Sequence, residues 1–276
     1  MRIYNAKVIL VTGASSGIGK ATALKLLSQG HIVYGAARRM ENMAELVQAG
    51  GVALKVDITH EDEVDAALQT IFTRHGYVDV LINNAGFSVY GAVEETSQED
   101  VRKQFEVNFF ATTFLTQKVL PIMRERGKGH IINVSSVAGK VYTPLGAWYH
   151  ATKHALEGWS DCLRVETQHL GLKVSIIEPG AIETEFSNIM MAPMLLRSDN
   201  GPYQAMAKNM VEATSQVYKD IKNTRPEIIA DTIAVAVNSE APKTRYAAGK
   251  YALLLLFLRR WLSDKYFDKL ILEMVK

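Results

Sequence analysis

The stretch "KVILVTGASSGIGKATALKLLSQG", residues 7–30, decides the fold. It opens on a short apolar run, "KVILVTG", with no alternation of polar and apolar positions. Such a run reads as a strand covered on both faces. It closes on a helical stretch that ends at Gly30. Between them lies "TGASSGIG", residues 12–19, with Gly13, Gly17 and Gly19 spaced G-x-x-x-G-x-G. Glycines let the chain turn sharply and let a phosphate approach the backbone closely. The helix that follows offers unpaired N–H groups and the positive end of its dipole. Strand, glycine turn and helix in this order form the start of a dinucleotide-binding βαβ unit. Gly13, Ser15, Ser16, Gly17, Ile18 and Gly19 are therefore candidate cofactor contacts.

The same alternation continues along the chain. "HIVYGAA", "VALKVDI", "VDVLINNAG", "GHIINVSS" and "LKVSIIEPG" read as further strands, and "TRYAAG" as a last edge strand. Helical patterns separate them: a short one near 40–50, one over 60–76, and a long one over 98–127 that Ser97 can cap. Two more run over about 148–170 and from Pro226. Strand–helix–strand repeats with short connections imply right-handed crossovers. The expected fold class is α/β, a doubly wound, mostly parallel sheet with helices on both faces. The pattern breaks from about 181 to 224, where "SNIMMAPMLLRSDNGPYQAMAKNM" is rich in methionine. The reading is a single catalytic domain over 1–276, with a substrate lid inserted at 185–225 and a helical C-terminal tail at 250–276. The lid emerges where ligands bind such sheets. Met190, Met191, Met194, Leu195 and Leu196 would give it an apolar wall.

Composition narrows the function classes. The formal charge of +2 argues against a nucleic-acid surface. Cys162 is the only cysteine, so no internal disulfide forms, which fits a reducing compartment. The N-terminal stretch reads as a strand entering a fold and not as a signal peptide. The longest apolar run, residues 252–258, is too short to span a bilayer. A cytoplasmic location is expected.

The second strand bears on which nicotinamide cofactor fits. A carboxylate at its end would bond the adenine ribose hydroxyls. In "YGAARRM", residues 34–40, Ala37 occupies that position and Arg38 and Arg39 follow. A guanidinium grips a phosphate bidentately, so the expectation is NADP(H) in preference to NAD(H). Asp57 and Ile58, after the third strand, are placed to meet the adenine.

"YHATK", residues 149–153, puts Tyr149 and Lys153 four apart and so on one helix face. A phenol with a pKa of about 10 is a poor base at neutral pH; bringing it to about 7 takes roughly 4 kcal/mol. The Lys153 ammonium is expected to favour the phenolate. His150 lies a quarter turn away and reads as a bystander.

With the glycine loop, "NNAG" at 83–86, Ser136, Tyr149 and Lys153, and "PG" at 179–180, the chain resembles the short-chain dehydrogenase/reductase family over roughly residues 5–185. The resemblance implies a Rossmann-type sheet of about seven strands. It implies that Ser136, thirteen residues before the tyrosine, hydrogen-bonds the substrate oxygen, and that Tyr149 gives or takes the proton. It assigns Lys153 to the nicotinamide ribose as well. Asn108, in "EVNFFA", would hold a water in a proton relay. Asn84, Ala85 and Gly86 would join the cofactor contacts, and Pro179, Gly180, Ile182 and Thr184 would surround the carboxamide. No metal is expected. In this family the two long helices carrying Asn108 and Tyr149 commonly join subunits, which implies a homodimer or homotetramer. The stretch "TRYAAGKYALLLLFLRRWLSDKYFDKLI" is similar to the branch of 17β-hydroxysteroid and retinol dehydrogenases.

The expected activity is hydride transfer between NADP(H) and a ketone or secondary alcohol, with a bulky apolar steroid, retinoid or lipid-like substrate. Two other classes compete: a non-catalytic NADPH-binding redox sensor, and a lipid-associated scaffold. Within the enzyme class the alternative is an epimerase or dehydratase. The tail is expected to cap the core or a subunit interface; membrane contact through Arg259, Arg260 and Trp261 is the less favoured reading. Glu178 reads as a solvated strand end.

Overall fold

The computed structural model describes residues 6–183, 186–220 and 224–275. Its strands are β1 (Val8–Thr12), β2 (Ile32–Ala37), β3 (Val52–Lys55), β4 (Val80–Asn83), β5 (Gly129–Val134), β6 (Leu172–Pro179) and β7 (Arg245–Ala248). They form one sheet in the order β3-β2-β1-β4-β5-β6-β7, with every pairing parallel. The order reverses between β1 and β4, and that reversal opens the crevice in which such sheets bind ligands.

The helices are α1 (Gly17–Ser28), α2 (Ala44–Gln48), α3 (Glu61–His75), α4 (Gln98–Phe105), α5 (Ala111–Glu125), α6 (Ala147–Thr167), α7 (Phe186–Arg197), α8 (Gln204–Asp220), α9 (Glu227–Asn238), α10 (Ala252–Trp261) and α11 (Asp264–Met274). Along β1 successive side chains face opposite ways. Val8 and Leu10 join Leu68, Ile71, Leu115 and Leu163 of α3, α5 and α6. Ile9 and Val11 join Ala23, Leu26, Ile229 and Ile233 of α1 and α9. Both faces of the sheet are covered, which is why its strands are apolar without alternation.

Three elements depart from the sequence expectation. The long helix over 98–127 is interrupted by one π-helical segment, Glu106–Phe110, between α4 and α5. After β6, where the sequence showed only a break in the pattern, stand the two helices α7 and α8. Met194, together with Met210 of α8, buries against Ala92 and Leu145, and tertiary packing outweighs the weak local signal around Pro193. Leu196 points to solvent at 78% exposure and so leaves the expected apolar wall. The tail is two helices. Ser263 precedes α11, and Phe267 and Ile271 of α11 meet Leu255 and Leu258 of α10 over Val141. No helix among the described residues is long and apolar enough to cross a membrane. On the outward face of α6, Gly158, Cys162 and Val165 are exposed.

Candidate active site

The glycine loop is built for a close approach. Gly13 has a φ of +69°, and a Cβ there would stand 2.8 Å from Asn84 Nδ2 and 2.9 Å from Ala85 Cα. A Cβ at Gly19 would run into the Gly13 carbonyl. Gly17 also has a positive φ, of 52°. Ser16 precedes α1 without capping it, and the first turn of α1 carries no acid. The amide groups there suit an anion, and these residues fit the pyrophosphate of a dinucleotide. A polar strap fixes the loop. Asn84 Nδ2 donates to the Thr12 carbonyl at 2.9 Å, while the Thr12 hydroxyl accepts from the amides of Asn84 and Ala85, both at 3.0 Å. Gly86 closes on Asn108: a Cβ there would lie 3.2 Å from Asn108 Oδ1.

At the end of β2, Arg39 reaches back and donates to Ser16 Oγ at 3.1 Å. Arg38 is mostly exposed and stands 3.9 Å from Asp57 Oδ2. Two guanidinium groups therefore flank the crevice where Ala37 leaves no acid, an arrangement that fits a 2′-phosphate. Burial opposes ionisation of Asp57. The hydroxyl and amide of Thr59, with Arg38 and His60, outweigh it and hold the carboxyl below the usual range. The Ile58 side chain is buried in the core, while Asp57 is partly exposed on this rim.

Ser136, Tyr149 and Lys153 meet at the ends of β5 and β6. The Ser136 hydroxyl accepts from Ala138 N at 3.1 Å, donates to the Pro179 carbonyl at 3.4 Å, and hydrogen-bonds the Tyr149 phenol. Lys153 Nζ lies 5.9 Å from the centre of the Tyr149 ring and donates to the Val134 carbonyl at 2.9 Å. Both side chains are buried. Their titration differs from the sequence expectation. Burial pushes the Tyr149 phenol above its ordinary value, with Tyr90 adding to it and the Ser136 hydrogen bond opposing. Burial lowers Lys153 to about 8 against the pull of Glu157. Desolvation disfavours the charged form of both groups, so the ammonium alone does not produce the phenolate.

Asn108 sits in the π-helical segment and is fully engaged. Its Oδ1 accepts from Phe87 N at 3.0 Å, and its Nδ2 donates to Phe87 O at 2.8 Å and to Thr152 Oγ1 at 3.2 Å. It ties the strap after β4 to α6. Deeper in, Asn83 Nδ2 donates to Thr116 Oγ1 and Asn133 Oδ1, and Asn133 Nδ2 donates to Ser160 Oγ. This buried polar chain pins α5 and α6 to the centre of the sheet.

Past β6, Gly180 packs so tightly that a Cβ would meet Ala252 N at 2.9 Å, and Ile182 is buried against Gly249. Pro179 ends β6, paired with Ala248. Thr184 lies outside the described residues. His150 is tied up: its Nδ1 faces the Ala138 carbonyl at 3.1 Å and its Nε2 faces Thr143 Oγ1 at 3.0 Å.

Two groups escaped the sequence reading. Tyr90 stands 6.0 Å from the Tyr149 ring and is itself pushed up to about 12 by burial. Its only sequence signal was an aromatic four residues after "NNAG". The second is an ion cluster behind Lys153. Buried Glu157 Oε2 accepts from Arg245 and Lys140, both at 3.0 Å, and Arg245 also pairs with Asp161 at 2.6 Å and Glu178 at 3.5 Å. Glu178 is thus a buried, paired carboxyl and not a solvated strand end. Burial and the Glu157 charge raise it to about 7.

The model of the short chain dehydrogenase family matches residues 7–192. The chain belongs to the short-chain dehydrogenases. As a member of that family it is an oxidoreductase. It is 34% identical to the uncharacterized oxidoreductase YbbO of Escherichia coli, over 96% of this chain and 94% of that one. It is 35% identical to 3-ketodihydrosphingosine reductase of Bacteroides thetaiotaomicron, over 94% of each. Among solved structures it matches a short-chain dehydrogenase from Streptomyces avermitilis at 35% identity and a TM-score of 0.79, covering 98% of this chain and 96% of that one. A variant of actinorhodin polyketide ketoreductase solved with NADPH matches at 30% identity and 0.75, over 90% and 97%. A 3-ketoacyl-(acyl-carrier-protein) reductase from Brucella melitensis solved with NADH matches at 25% and 0.72, over 88% and 96%.

Proposed function

We propose that this short-chain dehydrogenase moves a hydride between NADP(H) and a ketone or secondary alcohol on a bulky apolar substrate. The observation that carries the reading is the meeting of the Tyr149 phenol with the Ser136 hydroxyl, one helical turn from Lys153 and beside the strapped glycine loop. Gly13, Ser15, Ser16, Gly17, Ile18 and Gly19 would hold the pyrophosphate, with Asn84, Ala85 and Gly86 behind it. Arg38 and Arg39 would take the 2′-phosphate, with Asp57 at the adenine. When bound, the nicotinamide supplies the hydride and, once oxidised, a positive charge.

Tyr149 serves as the acid in reduction: a protonated, buried phenol is the form that can donate to a carbonyl oxygen. Ser136 fixes that oxygen by a hydrogen bond. Lys153 holds the ribose and supplies positive charge near the phenol. Asn108 acts as a positioning residue through Phe87. Pro179, Gly180, Ile182 and Thr184 would frame the carboxamide.

The α7–α8 pair acts as the substrate lid of a single catalytic domain; its support is the packing of Met194 and Met210 beside Leu145 and Tyr90. Subunits would pair through α5 and α6, where Val165 of α6 and Phe110, at the end of the π-helical segment leading into α5, are exposed. The kinship with 3-ketodihydrosphingosine reductase favours a long-chain keto substrate.

The test is to follow NADPH and NADH oxidation against ketones running from small diketones to steroids, retinal and long-chain keto lipids. Tyr149→Phe is expected to lose at least about a hundredfold in turnover while keeping NADPH affinity. Full turnover in that variant, or equal use of NADH, would remove the tyrosine or the phosphate reading respectively.

A further inference from the structure

Helix α6 carries one more buried charge beyond Lys153. Tyr149, Lys153 and Glu157 follow one another at intervals of four residues and so share one side of α6. Glu157 is only 2% exposed. Its Oε2 accepts from Lys140 Nζ and Arg245 Nη2, each at 3.0 Å, while Oε1 has no hydrogen-bond partner among the described residues. The segment that follows Ser136 lies directly on this turn of the helix. A Cβ at Gly139 would stand 2.7 Å from Glu157 Cγ and 3.1 Å from the Lys153 carbonyl. Lys140, which bonds the carboxylate, is the next residue. A carboxylate in such a place is costly, and an apolar side chain of similar size would pack there at less cost. Its charge calls for a use beyond folding.

We propose that Glu157 is a positioning residue of the active site: its charge, one helical turn from Lys153, holds that amine as an ammonium beside Tyr149. Such a role rests on the hydride-transfer reading above; the charge state of Lys153 does not. Lys153 donates to the Val134 carbonyl, an uncharged acceptor. Burial works against its charge, and the pull of the Glu157 carboxylate opposes burial. The surrounding charges hold Glu157 ionised and do not replace it. Arg245 reaches it from β7, and Lys140 from the segment after Ser136. Asp161, one turn further along α6, is taken by Arg245 and Arg164. Glu178 of β6 lies 3.5 Å from Arg245, and burial together with the Glu157 charge raises it to about 7. Tyr149 itself faces the phenols of Tyr90 and Tyr218. Among the described groups, Glu157 is thus the carboxylate that acts on Lys153.

The Lys153 side chain is titrated by NMR in the full chain carrying isotope-labelled lysine, its signal identified by loss in Lys153→Arg. The pH dependence of kcat/KM for ketone reduction with NADPH is recorded beside it. In Glu157→Gln, the Lys153 midpoint and the alkaline limb of the profile are both expected to move to lower pH by about one unit. Lys140→Met removes a cation from the same carboxylate at a partly exposed position, and both are expected to rise by about half a unit. Glu178→Gln is expected to move neither. A residue that merely supports the fold does not produce shifts of opposite sign. Melting curves serve as the control for folding, and Lys140→Met carries the test if Glu157→Gln does not fold. An unmoved midpoint in folded variants, shifts of the same sign, or a limb that follows Glu178→Gln overturns the proposal. So does a limb that stays while the Lys153 midpoint moves, since the reaction would then not use that charge. A parent chain that turns over no ketone sinks the function proposed above instead, and the Lys153 titration still shows whether Glu157 sets its charge.

Discussion

Glu178 carries a consequence for pH. Its carboxyl is raised to about 7 by burial and by Glu157, against an ordinary value of 4.5. Between those values the folded chain binds a proton that the unfolded chain does not. The contribution of this group to stability is therefore complete below about pH 4.5 and is lost as pH rises through 7. Glu178→Gln, which stays neutral throughout, is expected to gain in melting temperature relative to the parent between pH 5 and pH 8. A constant difference across that range would show a carboxyl ionised in both states. At the same scale, the Tyr149–Lys153 spacing was legible in the sequence because helical periodicity is local. The protonation of the pair was not. Burial raises the Tyr149 phenol, Tyr90 from far away in the chain adds to it, and no window of residues carries that information.

Among the elements, the turn after β1 and the strap after β4 act as one device, joined by the Thr12 hydroxyl. Thr12→Val keeps the shape and removes the oxygen that accepts from two amides. Leaving those donors unpaired is expected to cost about 1–3 kcal/mol in urea denaturation. NADPH binding by fluorescence titration is expected to weaken with it, because the loop loses its anchor. Unchanged affinity in a destabilised variant would separate the strap from cofactor binding. The strands, their parallel arrangement and the glycine loop were legible because continuous apolar runs and glycine spacing are written in short stretches. The π-helical turn, the two helices after β6 and the break at Ser263 were not. Each depends on packing between distant segments, as when Met194 meets Leu145 or Phe267 meets Val141. The cluster joining Glu157, Glu178 and Arg245 lay equally hidden, since 88 residues separate Glu157 from its cation.

For the whole molecule, α10 and α11 are fastened to the segment after β5 by one side chain above the others. Phe267 is fully buried, with the Tyr142 ring 5.2 Å away and Arg259 above it. Phe267→Ala is expected to destabilise the chain by about 3–5 kcal/mol, as loss of a buried aromatic ring does. If α10 and α11 form a unit apart from the sheet, calorimetry will instead show a second, earlier transition with the main one unmoved.

The composition also settles how this molecule can be watched. Its one thiol, Cys162, stands exposed on α6, beside Val165 and Gly158 and facing away from the sheet. A maleimide spin label added to the unaltered chain would attach at a single address. In any assembly that brings α6 against α6, the labels would report one separation per pair, a ruler for quaternary geometry that requires no engineered residue.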